Sequence, residues 1–254
     1  MLHPFCFLKM KSIVNNRLLL VVGVFWLAGC NKEIITVGIE GTLTGNVRSV
    51  GIPYGTSQDG AKIAVEGTSP TITALTDVNG EFVIHDIISG TYDLVISREG
   101  YGTYKIIGFS FVGGKAFTSI SATIYELPTV KIKDVTLSIA PYSNDYFQVD
   151  LVLDLPGGPY YSGYVRYYAS NKSDVSALNY SETGIMGSYA SQGNSNITVT
   201  KGINKTLFTP GSDLFIIIYL CREADLSYID INTGNMIYTS ISQNGSVVKS
   251  IKVP

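Results

Sequence analysis

Residues 147–155 read Phe-Gln-Val-Asp-Leu-Val-Leu-Asp-Leu, and this stretch decides the class of fold. Apolar side chains alternate along it with mostly polar ones, which is the period of a strand with one buried face. The apolar set is Phe147, Val149, Leu151, Leu153 and Leu155. Similar short segments recur between Gly, Asn, Asp and Pro turns, and no window keeps a helical period over three turns. The sequence therefore predicts an all-β protein, built as two tandem β-sandwiches.

The second sandwich is predicted over residues 130–254. Residues 163–169 supply another strand, and 214–220 are apolar on both faces, as in a central strand. Residues 207–212 resemble the turn before the sixth strand of fibronectin type III domains, although Leu214 and Phe215 stand where that family has a tyrosine. The resemblance implies an immunoglobulin-like or fibronectin III-like sandwich. Strands at 236–242 and 247–253 would complete it.

The first sandwich is predicted over residues 37–127 and ends where Leu127-Pro128-Thr129 interrupts strand-like sequence. Asn79-Gly80 is a strong hairpin signal, because both positions tolerate positive φ. Four ordered blocks, G-A-x-I-x-V (60–65), T-D-x-N-G-x-F (76–82), G-x-Y-x-L (90–94) and G-Y (100–101), resemble the carboxypeptidase regulatory-like domain. That resemblance implies a transthyretin-like sandwich of about seven strands, with no catalytic residues of its own.

The first thirty residues have the pattern of a bacterial lipoprotein leader. Three basic residues precede a short apolar run at 18–27, which is typical of a secretory signal and shorter than the roughly 20 residues of a spanning helix. Leu27-Ala28-Gly29-Cys30 resembles a lipobox, and this implies cleavage after a 1–29 signal peptide and acylation of Cys30. Residues 30–36 would be a lipidated tether. Lys32 and Glu33 resemble the export tag of Bacteroidetes-type surface lipoproteins, so we expect an outer-membrane anchor and favour an orientation towards the cell surface.

Composition narrows the class of function. The 254 residues carry a net charge of −2, and loss of the leader would leave 15 basic and 20 acidic residues. This balance lacks the basic footprint of a nucleic-acid binder. The expected partners are therefore the membrane, through the anchor, and a glycan or an envelope protein.

Catalytic and metal-binding patterns are weak. His85 is the only histidine after the leader, and the sequence predicts that it lies on the face of its strand opposite Phe82 and Ile84. Cys221 follows an apolar strand and is predicted to be buried. Residues 77–81 look like the start of a calcium loop, but Ile88 stands where the twelfth-position carboxylate belongs. We therefore expect no enzyme, no cofactor and no metal site. A hydrolase using two of the twenty acidic residues is the third alternative.

The most suggestive binding feature is a row of four tyrosines together with one arginine: Tyr160, Tyr161, Tyr164, Arg166 and Tyr168. Alternation puts the last three on one face of the 163–169 strand, where tyrosine rings could stack on sugars beside a guanidinium. This predicts a carbohydrate-binding surface. The alternatives are that tyrosine is simply a favoured strand residue, or that the rings dock the protein on another envelope protein in adhesion or assembly.

The predicted acylation of Cys30 can be tested by metabolic labelling. Cells labelled with radioactive palmitate should incorporate label into this protein, whereas the Cys30→Ser variant should stay unlabelled and move to the soluble fraction after cell breakage. Several buried acyl chains, at about 0.8 kcal/mol per CH₂, make the native anchoring effectively permanent. Equal sedimentation of both forms would contradict the lipoprotein assignment.

Overall fold

The computed structural model describes residues 38–51, 55, 57–155, 162–190, 195–222 and 226–254. The leader, the lipobox and the tether lie outside these residues. The described chain is all-β, as predicted, and within it no helix is long and apolar enough to cross a bilayer. The strands are β1 (Glu40–Val50), β2 (Lys62–Glu66), β3 (Ile72–Leu75), β4 (Glu81–Ile88), β5 (Gly90–Ser97), β6 (Tyr104–Phe111), β7 (Gly114–Tyr125), β8 (Lys131–Ile139), β9 (Tyr146–Asp154), β10 (Ser162–Ser170), β11 (Glu182–Ala190), β12 (Asn196–Gly202), β13 (Asp213–Cys221), β14 (Ser227–Ile229), β15 (Met236–Tyr238) and β16 (Lys249–Lys252).

The first sandwich consists of a three-stranded sheet in the order β4-β1-β7 and a four-stranded sheet in the order β3-β2-β5-β6. Strand β1 lies between an antiparallel neighbour, β4, and a parallel one, β7. Apolar residues at every second position of the strands meet between the sheets and form one buried core. Its most buried members include Leu43, Val47, Ile63, Val65, Leu94, Ile96 and Ile124.

The turn at Asp77–Glu81 differs from the predicted hairpin. It is tight, with the Asp77 N–H donating to the Glu81 carbonyl at 2.9 Å, but β3 and β4 on its two sides belong to different sheets. The Asp77 carboxylate accepts the N–H groups of Asn79 and Glu81 at 2.9 and 2.8 Å. Only Gly80 has positive φ here, at +83°. The segment is thus a corner between sheets, with Asp77 satisfying its backbone donors.

The second sandwich packs a sheet in the order β12-β9-β8 against a sheet in the order β11-β10-β13-β16. Strand β9 buries the alternate residues predicted from sequence, from Phe147 to Leu153. Strand β13 is central and apolar on both faces, also as predicted. One face, including Leu214 and Ile218, joins the core between the sheets, and the other, including Ile217, joins a smaller cluster outside it.

The strand predicted at 236–242 to complete the second sandwich is only partly formed. Only Met236–Tyr238 is regular, and it pairs with β14 in a separate two-stranded sheet. Beyond it the chain follows the free edge of β13 irregularly: Ser242 N–H donates to Leu220 O and Ser246 N–H to Ile218 O, both at 2.7 Å. The two serine hydroxyls accept the N–H groups of the same β13 residues. Serine side chains thus replace part of the backbone hydrogen-bond ladder along β13. The last strand, β16, is shorter than the predicted 247–253.

The two hydrophobic cores draw on residues 43–124 and 130–253, on either side of Leu127–Thr129. The chain across this boundary is tied to the first sandwich, because Leu127 N–H donates to Gly100 O at 2.8 Å. Backbones of the two halves also touch, since a Cβ added to Gly102 would lie 1.8 Å from the Thr239 carbonyl oxygen. The domain boundaries 37–127 and 130–254 stay a prediction.

The corner turn makes a stability prediction. Gly80→Ala should lower the free energy of unfolding by about 3 kcal/mol, because the residue has positive φ and its Cβ would lie 2.4 Å from the Val47 carbonyl oxygen. Gly100→Ala is the matched control, since Gly100 also has positive φ but no atom lies within 4 Å of its added Cβ; it should cost about 1 kcal/mol. Urea unfolding measures both. Equal losses would show that the close approach to β1 is unimportant.

Candidate functional site

Strand β10 presents its side chains in the predicted alternation. Val165, Tyr167 and Ala169 point into the core between the sheets, where all three are buried. Tyr164 and Tyr168 therefore lie on the opposite, outer face with Arg166. The expected division of the strand into two faces is confirmed, but the exposure of the outer face differs along its length.

Tyr168 does not form part of an open aromatic surface. Its side chain is fully buried, and its ring centroid lies 5.1 Å from that of Tyr180, 5.5 Å from Tyr219 and 6.5 Å from Tyr238. Burial raises the pKa of Tyr168 above its ordinary value, so the phenol stays neutral. Its hydroxyl is buried and has no hydrogen-bond partner among the described residues. The residue is the centre of a second small core.

Arg166 is also buried, with 2% of its surface exposed. Its guanidinium carbon lies 3.4 Å from the centroid of the Tyr238 ring, in a cation–π contact, and Nη1 donates to Thr183 Oγ1 at 3.4 Å. The predicted row of exposed rings beside a guanidinium is therefore corrected: of its described members, only Tyr164 reaches solvent. Tyr160 and Tyr161 lie outside the described residues.

Two long connections cover the outer face. Residues 171–181 join β10 to β11, and residues 226–248, here called the insert, form the described part of the connection from β13 to β16. They are fastened together, because the Tyr180 hydroxyl donates to the Met236 carbonyl at 2.9 Å and Asn235 Nδ2 to the Leu178 carbonyl at 3.1 Å. The sequence signal for this cover was apolar and aromatic residues within polar connections, at Val175, Tyr180 and Tyr238.

An open cleft remains where β10 begins, and we call it the tyrosine cleft. Its volume is about 570 Å³, and it is lined by residues of both sandwiches, among them Tyr125, Ser162, Tyr164, Ser188, Tyr189 and Arg222. Tyr164 is 37% exposed, and it pairs directly with Ser188 across the β10–β11 ladder, so the two side chains lie side by side. Tyr125 ends β7 and brings the first sandwich to the rim.

Hydroxyl groups and the guanidinium of Arg222 line the described part of the tyrosine cleft. Arg222 Nη1 donates to the Ser162 carbonyl at 3.2 Å, which holds the guanidinium across the start of β10. Burial raises the pKa of the Tyr189 hydroxyl, so this group stays protonated. An added Cβ on Gly163 would lie 2.4 Å from the Cys221 carbonyl oxygen and 2.7 Å from the Tyr189 hydroxyl, so a glycine is needed for the close approach of the Cys221 backbone.

Sequence reasoning found Tyr164 but missed Tyr125, Ser188 and Arg222. Arg222 comes directly after a strand that is buried on both faces. A charged residue at that position indicates that the strand ends at the surface. No spacing along the chain links it to Tyr125, almost a hundred residues earlier.

A second cleft lies on the other side of the 126–130 segment. It has a volume of about 600 Å³ and is lined by residues 126–132 and by Ser242–Gly245 of the insert, with Gly100. Its described lining includes the charged residues Glu126 and Lys131 but no aromatic residue. Aromatic side chains converge beside a guanidinium in the tyrosine cleft, which makes that cleft the better candidate site.

The other sequence candidates have structural explanations. His85 is exposed on the face opposite Phe82 and Ile84, as predicted, with Nδ1 3.4 Å from the Thr42 hydroxyl. Cys221 is fully buried, also as predicted, and its thiol donates to the Tyr164 carbonyl at 3.6 Å. Within the described ranges, no group of three His, Cys, Asp or Glu side chains is placed to hold a metal ion.

Comparisons with known proteins give only distant similarities. No protein-family model matches the sequence, and no curated protein matches it. A protein named "putative carbohydrate binding protein" from Bacteroides uniformis ATCC 8492 aligns over 85% of this chain and 100% of its own, at 13% identity and a TM-score of 0.35. A DUF3823 family protein from Parabacteroides merdae ATCC 43184 aligns over the same shares at 14% identity and a TM-score of 0.34.

A type II cohesin–X–dockerin complex from Acetivibrio cellulolyticus aligns over 34% of this chain and 58% of its own, at 25% identity and a TM-score of 0.29. With TM-scores below 0.5, none of these similarities carries an argument about the function of this chain. The assignment of a function therefore depends on the geometry of its own residues.

The buried tyrosine core predicts opposite effects for two conservative substitutions. Tyr168→Phe removes a hydroxyl that has no partner in the described part of the chain, so the free energy of unfolding should stay the same or rise by up to about 1 kcal/mol. Tyr180→Phe removes a hydroxyl that donates to Met236, so it should lower that free energy by about 1 kcal/mol. Urea unfolding at neutral pH compares them. A larger loss for Tyr168→Phe would contradict the assignment of an unpaired hydroxyl.

Proposed function

We propose that this protein is a non-catalytic, lipid-anchored protein of the outer membrane that binds carbohydrate in its tyrosine cleft. The observation that carries the proposal is the convergence of Tyr125, Tyr164 and Arg222 on one open cleft formed by both sandwiches. The finer domain types, transthyretin-like and then fibronectin III-like, belong to the same proposal. They are supported by two sandwiches of seven strands each, arranged as three-stranded and four-stranded sheets.

The cleft has the size and chemistry that a short glycan requires. Its volume of about 570 Å³ lies within the roughly 300–1,000 Å³ of ligand pockets in proteins. The Tyr164 ring, 37% exposed, offers a π face to the C–H groups of a sugar. The guanidinium of Arg222 and the hydroxyls of Ser162 and Ser188 supply polar groups that can orient the ligand.

The same lining argues for binding rather than hydrolysis. Glycoside hydrolysis needs two carboxylic groups about 5–10 Å apart on either side of the bond that breaks. The residues that define this cleft in the described chain include no Asp, Glu or His. A sugar held there would meet no described general acid or base, which supports a role in capture or presentation.

The geometry of β1 supports a spacer role for the first sandwich. The strand pairs with Gly114 of β7 near its start and with Tyr125 near its end, so it runs the full length of the sheet. Eleven residues at 3.3 Å each span about 35 Å. Gly38, the first described residue, therefore lies at the end away from the tyrosine cleft. A membrane anchor preceding Gly38 would leave the cleft turned away from the bilayer.

Glycan binding is tested with the mature protein on a glycan array, followed by titration of the best ligand. Tyr164→Ala should weaken binding about tenfold, which corresponds to about 1.4 kcal/mol, because the stacking surface is lost. Tyr142→Ala is the matched control. Tyr142 is 66% exposed on the side of the second sandwich formed by the other sheet, and it lies outside the cleft. No binding to any glycan, or equal losses in both variants, would contradict the proposal.

A second candidate function, docking on another envelope protein, is favoured by one exposed apolar patch. Ile229 and Met236 pair across the two strands of the insert, and Leu178 and Ile231 lie near them, with Leu178 and Ile231 at 64% and 72% exposure. Crosslinking and purification from cells separates the two functions. One stoichiometric protein partner that is lost in Ile229→Asp but kept in Tyr164→Ala would favour docking over glycan capture.

A further inference from the structure

Three segments of the first sandwich meet at the end away from the tyrosine cleft. Residues 38–40 enter β1 there, Ile88–Ser89 leave β4, and Val112–Gly113 join β6 to β7. The Ser89 N–H donates to the Ile39 carbonyl at 2.8 Å, and the Ile39 N–H donates to the Ser89 hydroxyl at 2.9 Å. A Cβ added to Gly113, where φ is +68°, would lie 2.0 Å from the Ile39 carbonyl oxygen. These contacts fix the three segments side by side.

Each of these segments exposes a large apolar side chain. Ile39 is 58% exposed, Ile88 50% and Val112 60%, and we call these three residues the apolar tip. The core does not need them, because Leu43, Ile87 and Phe111 fill the space between the sheets at this end. Single exposed apolar residues are ordinary, but a group of them on one end of a domain marks an interaction surface.

We propose that the apolar tip rests in the interfacial region of the lipid bilayer to which the protein is anchored. The inference rests on the proposed acylation of Cys30. Gly38 is eight residues beyond Cys30, so the chain between them can extend over at most about 28 Å. The end of the sandwich that carries the apolar tip is therefore the end that the anchor holds next to the membrane, and the tip is the surface that faces it.

The charges near the tip are compatible with this contact. Glu40, Asp86 and Lys115 are exposed within three residues of the apolar tip, so this end of the domain carries a single excess negative charge. The contact therefore depends on the apolar side chains and not on attraction to anionic headgroups. Apolar side chains that enter the boundary between headgroups and acyl chains reach a depth of about 5–10 Å. Contact at the tip would hold the long axis of β1 upright and keep the tyrosine cleft away from the lipid.

A tryptophan reporter tests the proposal directly. Trp26, in the leader, is the one tryptophan of the chain, so the acylated and processed protein would contain none. The V112W variant therefore supplies a single fluorophore at the tip, at a position that is 60% exposed. The control is I231W, at a position that is 72% exposed on the insert of the second sandwich.

Both acylated variants are reconstituted in vesicles of phosphatidylethanolamine and phosphatidylglycerol, with and without bromine on the acyl chains. Emission of the V112W variant should shift to the blue and be quenched about twofold by the brominated lipid, whereas I231W should be unaffected. Flotation with the vesicles shows separately whether the protein is anchored to the membrane. Flotation without quenching of V112W would overturn the tip contact and leave the anchor standing, whereas failure to float would overturn both. Glycan binding is unaffected by either result.

Shielding of the V112W tryptophan from acrylamide in the absence of lipid would also overturn the proposal. If protection of this tryptophan from acrylamide increases with protein concentration, the tip is a contact surface between two copies of the chain. Shielding that is independent of concentration would assign it to a cover from the protein's own chain. Free access of acrylamide without lipid, lost on reconstitution, is the expected result.

Discussion

The second sandwich depends on the cover that two connections lay over the outer face of its larger sheet. Strand β13 is apolar on both faces, so the sheet would expose Ile217 and the aromatic residues beside it if that face were open to water. Residues 171–181 and the insert bury it, with Tyr168 at the centre. Because Arg166 lies in the same layer, its charge is held against the Tyr238 ring rather than presented to solvent. This layer decides which part of the sheet is free to bind.

The same insert joins the two sandwiches. Its Thr239 carbonyl lies against Gly102 of the first sandwich so closely that no side chain fits between them. Strand β7 ends at this junction and brings Tyr125 beside the start of β10. The tyrosine cleft is lined mainly by the second sandwich, and Val50 and Tyr125 of the first sandwich complete its rim. The shape of the candidate site therefore depends in part on the packing between the two sandwiches.

Much of the fold was predictable from the chain because burial imposes a period on the sequence. The alternation at 147–155 located β9, and the apolar run at 214–220 located a central strand. The hairpin predicted at Asn79-Gly80 is a tight turn, but it joins two different sheets. Turn chemistry depends on four or five neighbouring residues, whereas the choice of partner strand depends on residues far away in sequence. The strand predicted at 236–242 is only partly formed for that reason, since Ser242 and Ser246 complete the edge of β13 with side-chain hydroxyls.

The sequence by itself determined the all-β class, the alternation of β10 and the burial of Cys221, because each of these follows from residues within one strand. It also determined that Tyr164 and Tyr168 share a face. Only the tertiary structure decided that Tyr168 is buried and Tyr164 exposed, because the difference comes from connections that fold over one end of the strand and leave the other open. Periodicity reports the direction of a side chain from its own backbone, and it carries no information about what another segment places above it.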